Sequence, residues 1–161
     1  MQELYELAGR VAVILKARKQ TIAVAESSAG GLVSAALLSV PGASAYYLGG
    51  GVVYTKVALK TVLDVSRDNM QGMRSQTEPY AQLLSSTARD RFGATWGISE
   101  TGSAGPTATS FAAGHTCVSV AGPDGLSAVQ TIETASDNRT ANMEAFALAA
   151  LKLLLSRLEQ S

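Results

Sequence analysis

The chain has 161 residues, of which 47% are hydrophobic and 16% charged, and this composition predicts one folded domain over residues 1–161 rather than a disordered chain. Its 13 basic and 13 acidic residues cancel, which argues against nucleic acid as a direct partner. The N-terminus lacks the basic start and apolar core of a secretion signal, and no apolar run is long enough to span a membrane. We therefore expect a cytoplasmic protein with no membrane partner.

The first third of the chain predicts a strand, turn and helix unit behind an amphipathic helix. Apolar residues recur in this first helix at three- and four-residue intervals: Leu4, Leu7, Val11 and Leu15. Residues 21–25 are predicted to form a buried strand. The serine and glycine turn at residues 26–31 follows, and residues 32–40 are predicted to form a helix that Pro41 ends.

The middle of the chain alternates again between strand and helix. Three glycines at residues 49–51 precede a predicted strand at residues 52–54, and residues 56–63 have the apolar content of a packed helix. Residues 66–76 are predicted to form a polar loop. A proline in the first turn then indicates a helix over residues 77–93.

The last third combines two antiparallel strands with a long helix. Residues 94–100 are predicted as a strand and residues 102–114 as a glycine-rich loop. Residues 115–121 and 126–133 form a predicted hairpin, and residues 138–158 a closing helix. Early α/β alternation followed by a hairpin predicts an α/β fold with a mixed sheet between layers of helices.

The turn at residues 26–31 is the first candidate site, because ligands of α/β sheets bind beyond the carboxyl ends of strands. Gly30 and Gly31 let the backbone approach a ligand, and the amides at the following helix start suit a phosphate or carboxylate. The turn lacks the Gly-Lys-Ser/Thr ending of a nucleotide P-loop. The alternative is that Ser27 and Ser28 only cap the helix.

A second glycine-containing loop, residues 101–106, follows another predicted strand. We expect Thr101, Gly102 and Gly105 to face the first turn across the same edge of the sheet. Ordinary turn chemistry is the alternative for either loop alone. Together the two loops predict a ligand cavity.

Four segments, in order and over nearly the whole chain, resemble the motifs of the CinA C-terminal domain family: AESSAGG at residues 25–31, VPGAS at residues 40–44, GGGVVY at residues 49–54 and TGSAGP at residues 101–106. The resemblance implies a three-layer α/β/α fold. It also implies an activity, because the family includes nicotinamide-nucleotide amidases, which hydrolyse nicotinamide mononucleotide to nicotinate mononucleotide and ammonia. The expected reaction is thus a metal-independent amide hydrolysis without a cofactor.

By this resemblance Ser27 is the nucleophile and Tyr54 belongs to the same catalytic set. A serine hydroxyl needs help to lose its proton, and relatives place a lysine five residues after the tyrosine, where this chain has Leu59. On a helix Lys56 lies about 60° from Leu59 and Lys60 about 100° away. Lys56 is therefore the better replacement, unless both lysines are solvated surface charges.

The resemblance and the two loops together give a set of expected substrate-binding residues: Glu26, Ser28, Gly30, Gly31, Ser44, Thr101, Gly102, Gly105 and Arg139. Arg139 is expected to hold a phosphate, or else to lie on the surface. His115, the one histidine, is either an acid or base facing the cleft or a structural residue. No metal site is expected, because the acidic residues are scattered and this histidine has no partner at ligand spacing.

Several departures from the family pattern predict a divergent subgroup: Ser28 and Ala29 stand for cysteine and threonine, and Thr107 for aspartate. The leading hypothesis is hydrolysis of nicotinamide mononucleotide or a related amide. The alternative is an altered domain that binds a phosphorylated small molecule or acts on a different amide. A third possibility, an assembly role linked to competence or DNA damage, follows from the family name alone. Self-association into a homo-oligomer is also expected.

Overall fold

The structure, a computed structural model, describes residues 1–107 and 109–161. Its strands are β1 (Ile22–Glu26), β2 (Tyr47–Val52), β3 (Trp96–Ser103), β4 (His115–Ala121) and β5 (Ser127–Glu133). Its helices are α1 (Gln2–Arg18), α2 (Leu32–Leu38), α3 (Lys56–Leu63), α4 (Arg67–Met70), α5 (Glu78–Phe92) and α6 (Arg139–Gln160), with a 3-10 turn at Ala43–Ala45.

The strands form one sheet in the order β2-β1-β3-β4-β5. The first three of these neighbours run parallel, whereas β4 and β5 are antiparallel to their neighbours. The carboxyl ends of β2, β1 and β3 therefore meet at one edge of the sheet, which is where ligands of such sheets bind. Beyond Ser99, β3 has passed the end of its pairing with β1 and pairs with β4 alone.

Helices cover both faces of the sheet. On one face α1, α2 and α6 enclose a core that includes the fully buried side chains of Leu15, Trp96 and Phe146. On the other face α3 and α5 pack over β1, and their core includes Leu59 and Leu84. This arrangement confirms the predicted three-layer α/β/α fold with a mixed sheet. No helix of the described residues is both long and apolar enough to cross a membrane.

The prediction for β2 was wrong in its position. The strand begins at Tyr47 and includes all three glycines, so that residues 53 and 54 lie beyond its end. Glycine is a weak strand former, which is why the sequence favoured the valines. The physical reason for glycine here is close packing, since a Cβ on Gly51 would lie 2.9 Å from a methyl carbon of Val62 in α3.

Three other boundaries also differ from the predictions. Helix α2 ends at Leu38, and the short helix α4 interrupts the predicted polar loop at residues 66–76. Strand β3 continues to Ser103, so Thr101 and Gly102 belong to a strand and not to a loop. Pairing with β4 holds this extension in place. The glycine-rich segment thus begins only after β3.

Candidate functional site

A cavity of about 520 Å³ lies at the edge where the parallel strands end. This volume is in the usual range for small-molecule sites. The structure brings eight of the predicted site residues together in its wall: Ser27, Ser28, Tyr54, Lys56, Thr101, Gly102, Gly105 and Arg139. They come from the turn after β1, the segment after β2, the end of β3 with its following loop, and the start of α6.

Four predicted residues do not line this cavity: Glu26, Gly30, Gly31 and Ser44. Ser44 is exposed in the 3-10 turn before β2. Gly30 and Gly31 shape the turn instead, because both have positive φ angles, 68° and 100°. Their contribution to the site is the backbone path between β1 and α2.

The carboxylate of Glu26 occupies the start of α2. Its oxygens accept hydrogen bonds from the amides of Gly31, Val33 and Ser34 at 3.0, 3.1 and 3.0 Å. The side chain is fully buried. The expectation that these amides hold a phosphate or carboxylate of a ligand is therefore wrong, because the carboxylate of Glu26 already binds them. The serine-capping alternative is also wrong, since Gly31 is the N-cap of α2 and the Glu26 carboxylate, not a serine hydroxyl, accepts its first amides.

Glu100 on β3 is a second buried carboxylate that the sequence analysis missed. It accepts hydrogen bonds from the amides of Ser27 and Ala29 at 3.1 and 2.8 Å. The hydroxyl groups of Ser28 and Thr116 donate to it at 2.6 and 3.0 Å. Burial raises the pKa of Glu100 above its ordinary value, and these four bonds oppose that rise only in part. An acidic residue in a predicted strand was the available signal.

The lysine candidates differ clearly in their surroundings. Leu59 is only 3% exposed and packs in the core beneath α3, so the position of the family lysine is apolar here. Lys60 forms an ion pair with Asp64 on the same helix. Lys56 is exposed and lines the cavity at the first position of α3, where the Thr55 side chain caps the helix by accepting from the amide of Ala58 at 3.1 Å. Lys56 is therefore the lysine that the structure places at the site.

Arg139 connects two walls of the cavity. Its Nη1 atom donates to the carbonyl oxygen of Gly105 at 2.7 Å, and its Nη2 atom donates to the Tyr54 hydroxyl at 3.3 Å. Gly105 has a φ of 79°, and a Cβ there would lie 2.6 Å from the Ala113 Cβ. A guanidinium has five N–H groups, so Arg139 keeps donors for a ligand while it makes these contacts.

Gln76 is a second residue that the sequence analysis missed. It lines the cavity from a strained backbone with a φ of 64°. Its amide donates to Thr101 Oγ1 at 3.3 Å, and its side chain donates to the Gly102 carbonyl at 2.8 Å and accepts from Thr109 at 2.8 Å. Because Thr101 Oγ1 accepts the amide bond, its own hydrogen can be donated to a ligand. Gln76 therefore orients Thr101.

Ser103 also lines the cavity and was not predicted. Within the part of the chain that the structure describes, its Oγ is the buried side-chain oxygen that has no hydrogen-bond partner. It lies two residues after Thr101 on β3, so the two side chains share one face of the sheet. An unpaired buried hydroxyl costs stability, and a ligand in the cavity is a natural partner for it.

His115 does not line the cavity. Its Nδ1 atom contacts the Glu133 carboxylate, and its Nε2 atom lies 2.8 Å from the carbonyl oxygen of Gln76. Both ring nitrogens thus face acceptors, and the ring stacks on Phe111 with 4.1 Å between centroids. These contacts agree with the structural alternative for His115 rather than with an acid or base in the cleft.

The charges around the cavity are of one sign. Lys56 and Arg139 line it, and no acidic side chain does so among residues 1–107 and 109–161. The same residues contain no cluster of three or more histidine, cysteine or acidic side chains that could hold a metal ion. The wall otherwise presents hydroxyl groups, backbone groups and the phenol rings of Tyr54 and Tyr80. Such a lining suits a small anionic ligand.

The chain is similar to longer CinA-like proteins. It is 36% identical over 156 residues to the CinA-like protein of Desulfosudis oleivorans, covering 94% of this chain and 37% of that protein. With the CinA-like protein of Anaeromyxobacter sp. (strain K) it shares 37% identity over 153 residues, covering 93% of this chain and 38% of that protein. The chain thus spans little more than a third of the length of these relatives.

Solved structures agree with this similarity. A competence/damage inducible protein from Agrobacterium tumefaciens superimposes with a TM-score of 0.89 at 25% identity, covering 98% of this chain and 96% of that one. A CinA superfamily protein from Klebsiella pneumoniae gives a TM-score of 0.89 at 26% identity, covering 98% and 99%. The family defined by the CinA C-terminal domain matches residues 4–158. The chain therefore belongs to the CinA C-terminal domain family.

Proposed function

We propose that this protein hydrolyses the carboxamide of nicotinamide mononucleotide, or of a closely related amide, with Ser27 as the nucleophile. The observation that carries the proposal is the place of Ser27 in the wall of a cavity whose charged side chains are both basic. The substrate fits this lining, since it combines a small neutral amide with an anionic phosphate. Family membership supports the same reaction class.

In the proposed reaction Ser27 Oγ attacks the carboxamide carbon while its proton passes to a base. The tetrahedral intermediate then expels ammonia, which takes up a proton, and leaves an acyl ester on Ser27. Water hydrolyses this ester to give nicotinate mononucleotide and free serine. We assign the base to Lys56, because Leu59 has no ionisable group and Lys60 is paired with Asp64. Thr101, whose hydrogen can be donated, is a candidate donor to the developing oxyanion.

The phosphate of the substrate is assigned to the basic side chains of the cavity. The amides at the start of α2 are excluded, because Glu26 binds them. Arg139 keeps unused N–H groups beside Gly105 and Tyr54, and a guanidinium matches phosphate oxygens in geometry. Arg139 is therefore the proposed phosphate ligand.

The test is incubation of the purified protein with nicotinamide mononucleotide, without added metal, followed by measurement of ammonia and nicotinate mononucleotide. We expect both products in equal amounts, and none with Ser27→Ala. Turnover that survives in Ser27→Ala would reject the serine mechanism. A folded wild-type protein that releases ammonia neither from nicotinamide mononucleotide nor from related ribosyl amides would reject the amidase.

A second candidate is binding of a phosphorylated small molecule without turnover. Leu59 favours this candidate, because this chain has a buried apolar leucine at the position where relatives have the lysine that takes the serine proton. Nicotinamide mononucleotide would then raise the melting temperature while no product forms. No stabilisation by any phosphorylated ligand would reject this second candidate.

The predicted self-association remains a proposal, which the edge strand β2 supports. Its Leu48 and Val52 side chains are 43% and 42% exposed, and Val57 nearby is 76% exposed. An exposed apolar edge strand invites pairing with another chain. Light scattering coupled to size-exclusion chromatography should show more than one copy per particle, and Val57→Lys should lower that number.

A further inference from the structure

We propose that Glu100 is a positioning residue that fixes the turn after β1, so that Ser27 and not Ser28 offers its hydroxyl to the cavity. The proposal rests on the proposed function, in which Ser27 is the nucleophile. It concerns a residue that neither lines the cavity nor appears in the family motifs described above. Glu100 thus acts through the backbone of the nucleophile turn.

Each oxygen of Glu100 receives two donors. Oε2 accepts from the amides of Ser27 and Ala29 at 3.1 and 2.8 Å. Oε1 accepts from Ser28 Oγ at 2.6 Å and from Thr116 Oγ1 at 3.0 Å. An ionised carboxylate has about four lone-pair sites, and these donors occupy nearly all of them, although Thr116 shares its one hydrogen with the Thr101 carbonyl oxygen at 3.2 Å. The group is fully buried and belongs to the central strand β3.

These bonds determine which serine is available. The Ser28 hydroxyl gives its hydrogen to Glu100 and is therefore committed to the interior. The amides on either side of Ser28 are tied to the other carboxylate oxygen, which fixes the backbone at two points. A bond from the Gly30 amide to the Ser27 carbonyl at 3.0 Å closes the turn. Ser27 is left as the half-buried hydroxyl residue of this turn.

Glutamine cannot reproduce this arrangement. It has one acceptor oxygen and an NH₂ group that would face either the two amides or the two hydroxyls. With the NH₂ group toward the amides, the Ser27 and Ala29 amides would lose their acceptor. With the NH₂ group toward the hydroxyls, it would donate to Ser28 and Thr116, and the Ser28 hydrogen would no longer be held there. Either orientation removes contacts that fix the turn. A displacement of about 1 Å at a reacting group can lower the rate by about a hundredfold. We expect the loss in kcat, because Glu100 does not line the cavity and acts only through the turn.

The experiment compares Glu100→Gln with Glu100→Asp, Thr116→Val and Ser85→Ala. Thr116→Val removes one of the four donors and leaves the turn itself unchanged. Ser85→Ala is the matched control, because it removes a buried hydroxyl that bonds to Ser119 at 2.9 Å, outside the cavity lining. For each variant we would measure kcat, KM and melting temperature, and by NMR the exchange rates of the Ser27 and Ala29 amides.

We expect kcat to fall at least about tenfold in Glu100→Gln and less in Thr116→Val, with KM changed by no more than about threefold. The Ser27 and Ala29 amides should exchange faster in Glu100→Gln, and Ser85→Ala should change neither quantity. Should Glu100→Gln not fold, Glu100→Asp carries the test, because its shorter side chain withdraws the carboxylate from the turn. Unchanged kcat and unchanged exchange in a folded variant would overturn the proposal.

The two readouts separate this proposal from the amidase assignment. If the wild type has no turnover, the amidase fails, but the exchange rates still report whether Glu100 holds the turn. If the wild type is active and Glu100→Gln raises KM without lowering kcat, the positioning role fails while the amidase stands. A loss of kcat equal to that in an equally destabilised Ser85→Ala variant would also count against Glu100.

Discussion

The Nη2 atom of Arg139 lies 3.3 Å from the hydroxyl oxygen of Tyr54 and connects the start of α6 to the segment that follows β2. The same guanidinium holds the carbonyl of Gly105 in the loop after β3. Three segments distant in sequence therefore meet at one side chain. Its loss would affect both the shape of the cavity and its charge.

We expect Arg139→Lys to weaken binding of nicotinate mononucleotide by about tenfold or more, because an ammonium cannot bond two walls and a phosphate in one plane. Isothermal titration calorimetry measures this change. Arg10→Lys is the control, since Arg10 pairs with Glu159 on the surface outside the cavity. Equal affinities for the Arg139 variant and the wild type would remove Arg139 from the phosphate site.

Lys56→Met should lower kcat/KM by at least about tenfold if Lys56 accepts the proton of Ser27. Lys60→Met should leave kcat/KM within about twofold and change the free energy of unfolding by less than about 1 kcal/mol, because the Lys60–Asp64 pair is exposed. Steady-state kinetics and urea denaturation provide the two measurements. Similar kinetic losses in both variants would point to a general effect of positive charge.

The sequence was most informative where the pattern is long or the turn chemistry is clear. Helix α6 begins after Asn138, as predicted, because the Asn138 side chain caps it through the amide of Ala141 at 3.1 Å. Helix α5 ends at Phe92, and Gly93 follows as its C-cap with a φ of 62°. Strand β4 has the predicted bounds. Local propensity and tertiary packing agree at these places.

The rest could not be predicted because it depends on contacts distant in sequence. Gln76 orients Thr101 from 25 residues away, and Glu100 reaches Ser27 across 73 residues. The family-like motifs predicted part of the cavity lining, as at Ser27 and Thr101, but Gly30 and Ser44 from the same motifs do not line it. The role of Glu26 was wrong because its position before the turn gives no sign of which amides its carboxylate binds.

Ser103→Ala should stabilise the unliganded protein by about 1 kcal/mol, because it removes a buried hydroxyl that has no partner within the described chain. Ser119→Ala is the matched control on β4, where the hydroxyl bonds to Ser85 and to the Ala128 carbonyl at 2.9 and 3.0 Å. That control should be destabilised by a similar amount. Urea denaturation distinguishes the two, and destabilisation by Ser103→Ala would show that its hydroxyl is already satisfied.

The stability of the protein should depend on pH through Glu100. Burial raises the pKa of Glu100 in the folded state, because it disfavours the charged carboxylate. The contribution of the protonated carboxyl group to the free energy of unfolding is therefore fully present below the unfolded-state pKa. It is lost as the pH rises through the folded-state pKa. The melting temperature of Glu100→Gln minus that of the wild type should therefore increase from acidic to neutral pH. Differential scanning calorimetry measures this difference. A decrease would mean that the four hydrogen bonds outweigh burial.

The two internal carboxyl groups give the cavity a preferred orientation for its ligand. Glu26 and Glu100 lie behind the serine turn and occupy its amides, whereas the basic groups Lys56 and Arg139 belong to the starts of α3 and α6. A net charge of zero conceals this internal separation. For the proposed substrate, this separation favours the phosphate at the basic side chains and the neutral carboxamide at the turn.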